Sequence, residues 1–170
     1  MSISQTGTKN TNGSFGSDQL RLVSFNVGQE CFAVDILSVQ EINRMMALTQ
    51  VPQSPPGVRG VINLRGRIVP VLDLRTRFGL EATEQNDASR IIVVEIQGST
   101  VGFIVDEVHE VLRIDPGVVS PAPAITSGVD STYIKGVAKL NDRLLILLDL
   151  NQLISKESLE SIGAISANAA

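Results

Sequence analysis

Two aspartates, Asp73 and Asp149, each close an apolar run and each precede a leucine and then a polar residue. One aspartate per half of a duplicated β protein is the arrangement behind an aspartic-protease dyad, in which two carboxylates share a proton and activate water. That chemistry needs a hydroxyl residue and then glycine after each aspartate, whereas Leu74-Arg75 and Leu150-Asn151 follow here. The competing reading is structural. DLRTRF and DLNQLI begin short helical patterns, and an aspartate at such a junction accepts a hydrogen bond from the second or third helical amide. Helix capping is the preferred reading, and a hydrolase using Asp73 and Asp149 is the remote alternative.

Other reactive side chains are sparse. His109 is the single histidine and Cys31 the single cysteine, so no common structural zinc site can be assembled and no internal disulfide can form. Cys31 has no basic neighbour in sequence to activate its thiol. The acidic run Asp106, Glu107 and Glu110 reads as a solvated strand face. No glycine-rich loop follows a strand and opens a helix, which argues against a nucleotide site. No metal and no cofactor is expected. Arginine is the one concentrated resource: Arg59, Arg65, Arg67, Arg75 and Arg77 surround a single acid, Asp73. Two readings stand for them, a solvated face or a docking surface for an acidic partner, with Arg65 at a turn tip best placed to reach out. A planar guanidinium can grip a carboxylate in two places.

The elements that position these residues are written twice. Residues 32–44 (FAVDILSVQEINR) align without gaps with 101–113 (VGFIVDEVHEVLR), and 58–78 (VRGVINLRGRIVPVLDLRTRF) with 134–154 (IKGVAKLNDRLLILLDLNQLI). Val39/Val108, Glu41/Glu110, Arg44/Arg113, Gly60/Gly136, Arg67/Arg143 and Asp73/Asp149 are identical pairs. Arg59, Arg65, Arg75 and Arg77 are instead matched by Lys135, Asn141, Asn151 and Leu153. Shared residues are expected to build the fold, and unshared ones are freer to serve function.

Each half opens with a hairpin. Val23, Phe25 and Val27 alternate with polar residues, a turn follows at Gly28-Gln29, and Phe32, Val34 and Ile36 alternate again. Ile92, Val94 and Ile96, then Val101, Phe103 and Val105, repeat this around Gln97-Gly98. A third strand is expected over Val39–Met45 and over Val108–Ile114. A second hairpin closes each half, turning at Arg65-Gly66 and at Asn141-Asp142. Pro70 cannot donate to a ladder, so its strand should be locally an edge or bulged. The linkers 49–57 and 116–128 are proline-rich and read as loops.

Residues 1–18 lack apolar periodicity and read as a mobile tail. With 170 residues, 43% hydrophobic content and a mean hydropathy of +0.18, the chain should fold as one compact module or two packed lobes. No apolar run is long enough to insert into a membrane. The net charge of −4, no tryptophan and one tyrosine argue against nucleic acid as the partner. The fold class expected is all-β: two small barrels of about five strands each, with halves near 20–80 and 89–155.

FAVDILSVQEI, GVINLRGRIVPVLDLRTRF and, after Pro121-Ala122-Pro123, YIKGVAKLNDRLLILLDLNQLI together resemble the CheW family, the coupling proteins of bacterial chemotaxis. The resemblance covers roughly residues 20–155. It implies two SH3-like five-stranded β-barrels that exchange chain segments, short helices including a C-terminal one, and a helix or tail over 156–170. It also implies a cytoplasmic, non-catalytic adaptor recruited to membrane-associated receptor arrays. The implied partners are the cytoplasmic tips of methyl-accepting chemotaxis receptors and the regulatory domain of the histidine kinase CheA. By the same resemblance Val39, Glu41, Gly60, Asn63 and Arg65 face the receptor, and Pro121, Pro123 and Ile125 face the kinase. The same adaptor in an array controlling twitching or surface attachment is the alternative.

Overall fold

The structure, a computed structural model, describes residues 19–52, 57–81, 86–121 and 131–154. The expected tail at 1–18 and helix or tail at 156–170 lie outside these residues, as do Pro123 and Ile125. Eleven strands and two four-residue helices follow in order: β1 (Leu20–Val27), β2 (Glu30–Asp35), β3 (Val39–Arg44), β4 (Val58–Leu64), β5 (Arg67–Asp73), α1 (Leu74–Arg77), β6 (Arg90–Ile96), β7 (Ser99–Val105), β8 (Glu107–Ile114), β9 (Val119–Ser120), β10 (Ile134–Leu140), β11 (Arg143–Leu148) and α2 (Leu150–Leu153).

The strands form two sheets, ordered β8-β1-β2-β11-β10-β9 and β3-β6-β7-β5-β4. Neither sheet is one half of the sequence. Each takes the opening hairpin of one half and the last three long strands of the other, so the exchange is reciprocal. Each sheet has two seams between the halves. One is parallel, β11 on β2 through Ile146↔Phe32 and β5 on β7 through Leu72↔Phe103; the other is antiparallel, β8 on β1 and β3 on β6. The sixth strand of the larger sheet is β9, paired with β10 through Val119 and Ser120. Its counterpart is shorter still, a single bridge between Thr49 and Val61.

This topology gives the exchanged hairpins two buried faces. Val23, Phe25, Val27, Phe32 and Val34 of one hairpin meet Ile92, Val94, Ile96, Val101, Phe103 and Val105 of the other in a core shared by both sheets. The residues between them point into each sheet's own interior: Leu22, Ala33, Leu145 and Leu147 in one, and Ile62, Val71, Ile91 and Val93 in the other. Phe78, just past α1, stacks on Phe32 with centroids 4.9 Å apart, and Phe32 stacks on Phe25 at 6.1 Å. Burying one such ring is worth about 1.5–3 kcal/mol, so the stack fastens the end of the five-stranded sheet onto the other sheet's hairpin. Ser24 falls on a polar beat of the alternation yet is fully buried. The register of β1 on β8 shifts between Val23 and Phe25, and there the Ser24 hydroxyl donates to the Glu110 carbonyl at 2.9 Å.

Pro70 lies in an interior strand, β5, and not at the sheet's edge. Pairing with β7 begins one residue later, at Val71, so at Pro70 that side carries no ladder partner. The equivalent Ile146 is inside the parallel ladder.

Candidate functional site

Asp73 and Asp149 cap the two helices. The Asp73 carboxylate accepts from the Arg75 amide at 2.9 Å, and that of Asp149 from the Asn151 amide at 3.1 Å. Their own amides donate to the Gly57 and Tyr133 carbonyls, so the two junctions share one geometry. The second oxygen of Asp73 accepts from Arg59 at 2.7 Å. No hydrogen bond joins the two aspartates, and a dyad sharing a proton requires one.

The arginine cluster disperses into separate tasks and does not form a single charged surface. Arg75 forks onto Asp106 at 3.0 and 2.7 Å, and the same carboxylate accepts from the Gly28 amide at 2.8 Å. This three-way contact ties α1 and β7's end to the β1–β2 turn, and it holds the Arg75 guanidinium above its ordinary pKa. Arg77 donates twice to the Leu153 carbonyl, at 2.9 and 2.6 Å, and lies over the Tyr133 ring. It therefore closes the end of α2 from the other sheet. Arg67 donates to the Thr100 hydroxyl at 2.7 Å. Four of the five arginines thus hold the fold.

Arg65 has 76% of its side chain exposed. It occupies the β4–β5 turn with φ +52°, followed by Gly66 at φ +86°. Both values suit a type I′ turn, whose first position tolerates asparagine well and arginine poorly. Asn63 compensates locally by accepting the Gly66 amide at 2.8 Å. The Arg65 fork donates to both oxygens of Glu41, at 2.5 and 3.1 Å. Asn43 adds a third bond to Glu41 at 3.0 Å, and these donors hold the Glu41 carboxyl below its ordinary range. Since β3 and β4 are opposite edges of the five-stranded sheet, this contact means the sheet is curled until its edges meet. The other sheet uses Glu110 with Arg143 at 3.8 Å, a looser pair built on the equivalent of Arg67.

Beside the fork lies a groove of about 760 Å³, lined by Met46, Val51, Val61, Ile62, Asn63 and Ile68. Gly60 shapes its wall. A Cβ there would stand 2.7 Å from the Thr49 carbonyl oxygen, so a side chain would push the 46–52 segment off β4. The Thr49–Val61 bridge, with bonds of 2.9 and 2.8 Å, depends on that close approach. Gly136 performs the same service under Ser120.

Of the residues expected to face a receptor, Glu41, Asn63 and Arg65 are brought together at one rim. Gly60 is buried behind the groove, and Val39 is half-buried against the shared core. Pro121 is exposed just past β9. Sequence reasoning missed the apolar lining at Met46 and Val51, where no periodicity marked a surface. It also missed the Glu41–Arg65 pairing, because the two residues stand at opposite edges of the sheet and nothing in the local pattern shows that it curls. Cys31 is half-buried, and burial raises its thiol pKa. Among the described residues no cluster of histidine, cysteine and carboxylate could hold a metal, and no helix is long and apolar enough to cross a membrane.

A family model described as the CheW-like domain matches residues 21–158. The chemotaxis protein CheW of Helicobacter pylori is 37% identical over 139 residues, covering 81% of this chain and 83% of that protein. The probable chemotaxis protein CheW of Rhizobium etli is 33% identical over 140 residues, covering 82% and 90%. The crystal structure of the scaffolding protein TtCheW from Thermoanaerobacter tengcongensis superposes with a TM-score of 0.76 at 38% identity, covering 82% of this chain and 90% of that one.

Proposed function

Because the chain belongs to the CheW-like family, we propose that its groove and the Glu41–Arg65 rim receive the cytoplasmic tip of a methyl-accepting chemotaxis receptor. The protein is a chemotaxis adaptor of the kind that couples receptors to the histidine kinase CheA, and that family is non-catalytic. One observation carries the receptor reading: an exposed guanidinium, held rigid by a two-point fork, borders an apolar groove through Asn63. An amphipathic helical tip presents an apolar face with charged flanks, which is the shape such a site accepts. A preset rim costs little ordering on binding. Val39 and Gly60 then act from behind the surface, Val39 by seating β3 and Gly60 by shaping the wall. The regulatory domain of the kinase is assigned to Pro121, Pro123 and Ile125, of which Pro121 follows β9 at the edge of the other sheet. The working place of the protein is the cytoplasmic face of a membrane-associated receptor array.

The test is calorimetric titration of the full chain with a soluble receptor cytoplasmic fragment and, separately, with the CheA regulatory domain. Arg65→Glu should weaken the receptor fragment by about tenfold or more, since it replaces a charge-assisted donor with a repelling carboxylate. Kinase binding should not change. Unaltered receptor affinity in Arg65→Glu would remove this rim from the receptor contact. The reversed pair, Glu41→Arg with Arg65→Glu, then separates a direct contact from a purely scaffolding fork: only the latter regains affinity.

A further inference from the structure

Away from that rim, pairs of arginines recur at equivalent places in both sheets. Arg44 on β3 stands directly opposite Arg90 on β6, and Arg113 on β8 directly opposite Arg21 on β1. Residues in register hold their Cβ atoms about 4.5–5.5 Å apart, and like charges so placed repel each other. The four ion pairs among the described residues use Arg59, Arg65, Arg75 and Arg143, and leave Arg21, Arg44, Arg90 and Arg113 without a carboxylate. The like-charged contact within each pair opposes folding rather than favouring it.

Arg44 shares its side of β3 with the exposed Ile42, on the face opposite Glu41. There Arg44, Met45, Asn86, Asp87, Ser89 and Arg90 line a cleft of about 460 Å³. Its floor is pinned. The Asn86 amide donates to the Ser89 hydroxyl at 3.0 Å, and the Asn86 side chain accepts from the Ala88 amide at 2.8 Å. One nitrogen of Arg90, Nη1, donates to the carbonyls of Asp87 and Ser89 at 2.7 and 2.8 Å. That anchors the guanidinium and leaves Nε and Nη2 unused among the described residues. Two cations therefore line the cleft against one carboxylate, the exposed Asp87.

We propose that this cleft is an oxyanion site that takes a carboxylate from an acidic segment of a partner protein. A planar carboxylate matches the two-point donor geometry of guanidinium. Asp87 opposes a doubly charged phosphate more strongly than a singly charged carboxylate. Met45 beside the cleft offers apolar contact to a polypeptide rather than to a free ion. Because Arg44 and Glu41 face opposite sides of β3, the site works independently of the receptor-facing rim, and its failure would leave that reading intact.

The experiment follows the arginine Nε–Hε resonances of the ¹⁵N-labelled full chain. Three probes are titrated: a capped peptide alternating Glu and Gly, inorganic phosphate, and phosphatidylglycerol vesicles. The expected result is saturable shifts confined to Arg44 and Arg90 with the peptide. Arg44→Gln should weaken that binding by about tenfold, with a melting temperature equal to or above the parent's because the repulsive pair is gone. A non-saturating drift shared by all exposed arginines would reduce the effect to screening and overturn the site. Phosphate or vesicles binding as tightly as the peptide would overturn the acidic-segment occupant. A clear fall in melting temperature in Arg44→Gln would overturn the premise that Arg44 has no folding role.

Discussion

Gly60→Ala separates a residue that touches a partner from one that shapes the surface. The added Cβ would lie 2.7 Å from the Thr49 carbonyl oxygen and 3.2 Å from the Leu48 Cβ, and φ at this position is +155°. A backbone oxygen cannot swing aside as a side chain can, so the 46–52 segment must retreat. Retreat weakens two bonds of 2.9 and 2.8 Å, each worth about 0.5–1.5 kcal/mol net. Holding alanine at that φ adds about 1–3 kcal/mol. The combined cost is about 2–6 kcal/mol, or a fall in melting temperature of roughly 4–24 °C for a chain of this size. Thermal melts followed by circular dichroism measure the first quantity, and receptor-fragment titration well below the melting range measures the second. Both should fall together, and hydrogen exchange at the Val61 amide should accelerate. Gly136→Ala, pressing on the Val119 side chain and the Ser120 carbonyl in the other sheet at a φ that alanine tolerates, should lower stability less while sparing receptor affinity. Loss of binding in Gly60→Ala with an unchanged melting temperature would refute the reasoning, because it would make Gly60 a direct contact.

Three further outcomes follow from the ion pairs. Asp73→Asn keeps an acceptor for the Arg75 amide but loses the Arg59 pair, so urea denaturation should register a loss of about 1–2 kcal/mol; Asp149→Asn, which has no such pair among the described residues, should lose less. Asp106→Ala orphans the Gly28 amide and a guanidinium with only 21% of its side chain exposed, costing about 2 kcal/mol, and a scan showing no shift would deny the tie between sheets. Arg65 and Asn43 hold the Glu41 carboxyl below its ordinary range, so the pair's stabilisation is present above the unfolded-state value and fades as pH falls through the folded one. Arg65→Ala should accordingly lose less stability than the parent on acidification through the glutamate range, and identical pH slopes would count against the fork.

The strands were legible because alternation marks buried faces, and every alternating residue singled out in the two opening hairpins packs against the shared core. The caps were legible because Asp73 and Asp149 recur at the same strand-to-helix junction. The exchange of hairpins was not legible from the duplication. Two copies of a hairpin satisfy either neighbour equally well by local pattern, and only the pairings between halves, β1 with β8, β2 with β11, β3 with β6 and β5 with β7, decide between them. Nor was the Arg75–Asp106 tie, although a signal existed. Arg75 and Asp106 are replaced together in the other half, by Asn151 and Leu37, and a paired replacement of opposite charges is what a contact leaves behind. Arginine density in 59–77 suggested one surface because sequence proximity hides direction. Arg65 points out from a turn, whereas Arg75 and Arg77 sit on a helix whose face meets the other sheet.

The exchange also bears on how an adaptor transmits anything. Had each half folded on itself, two lobes joined by a linker could move independently, and occupancy of one would say little to the other. Here each sheet contains strands of both halves, and one core is lined from both sides by the exchanged hairpins. Close-packed cores respond to displacement as units rather than by continuous deformation. The Glu41–Arg65 rim stands on β3 and the β4–β5 turn of one sheet, and Pro121 follows β9 at the edge of the other. If the rim receives a receptor as proposed, a shift of β3 acts on β6, whose Ile92 and Val94 pack in the core that Phe25 and Phe32 enter from the second sheet. Coupling of this kind is reciprocal, so kinase occupancy must alter receptor affinity by the same factor that receptor occupancy alters kinase affinity. On the proposed assignment of the two docking surfaces, the duplicated unit places both on one cooperative body, with Arg75–Asp106 and Arg77–Leu153 as the ties that keep it one.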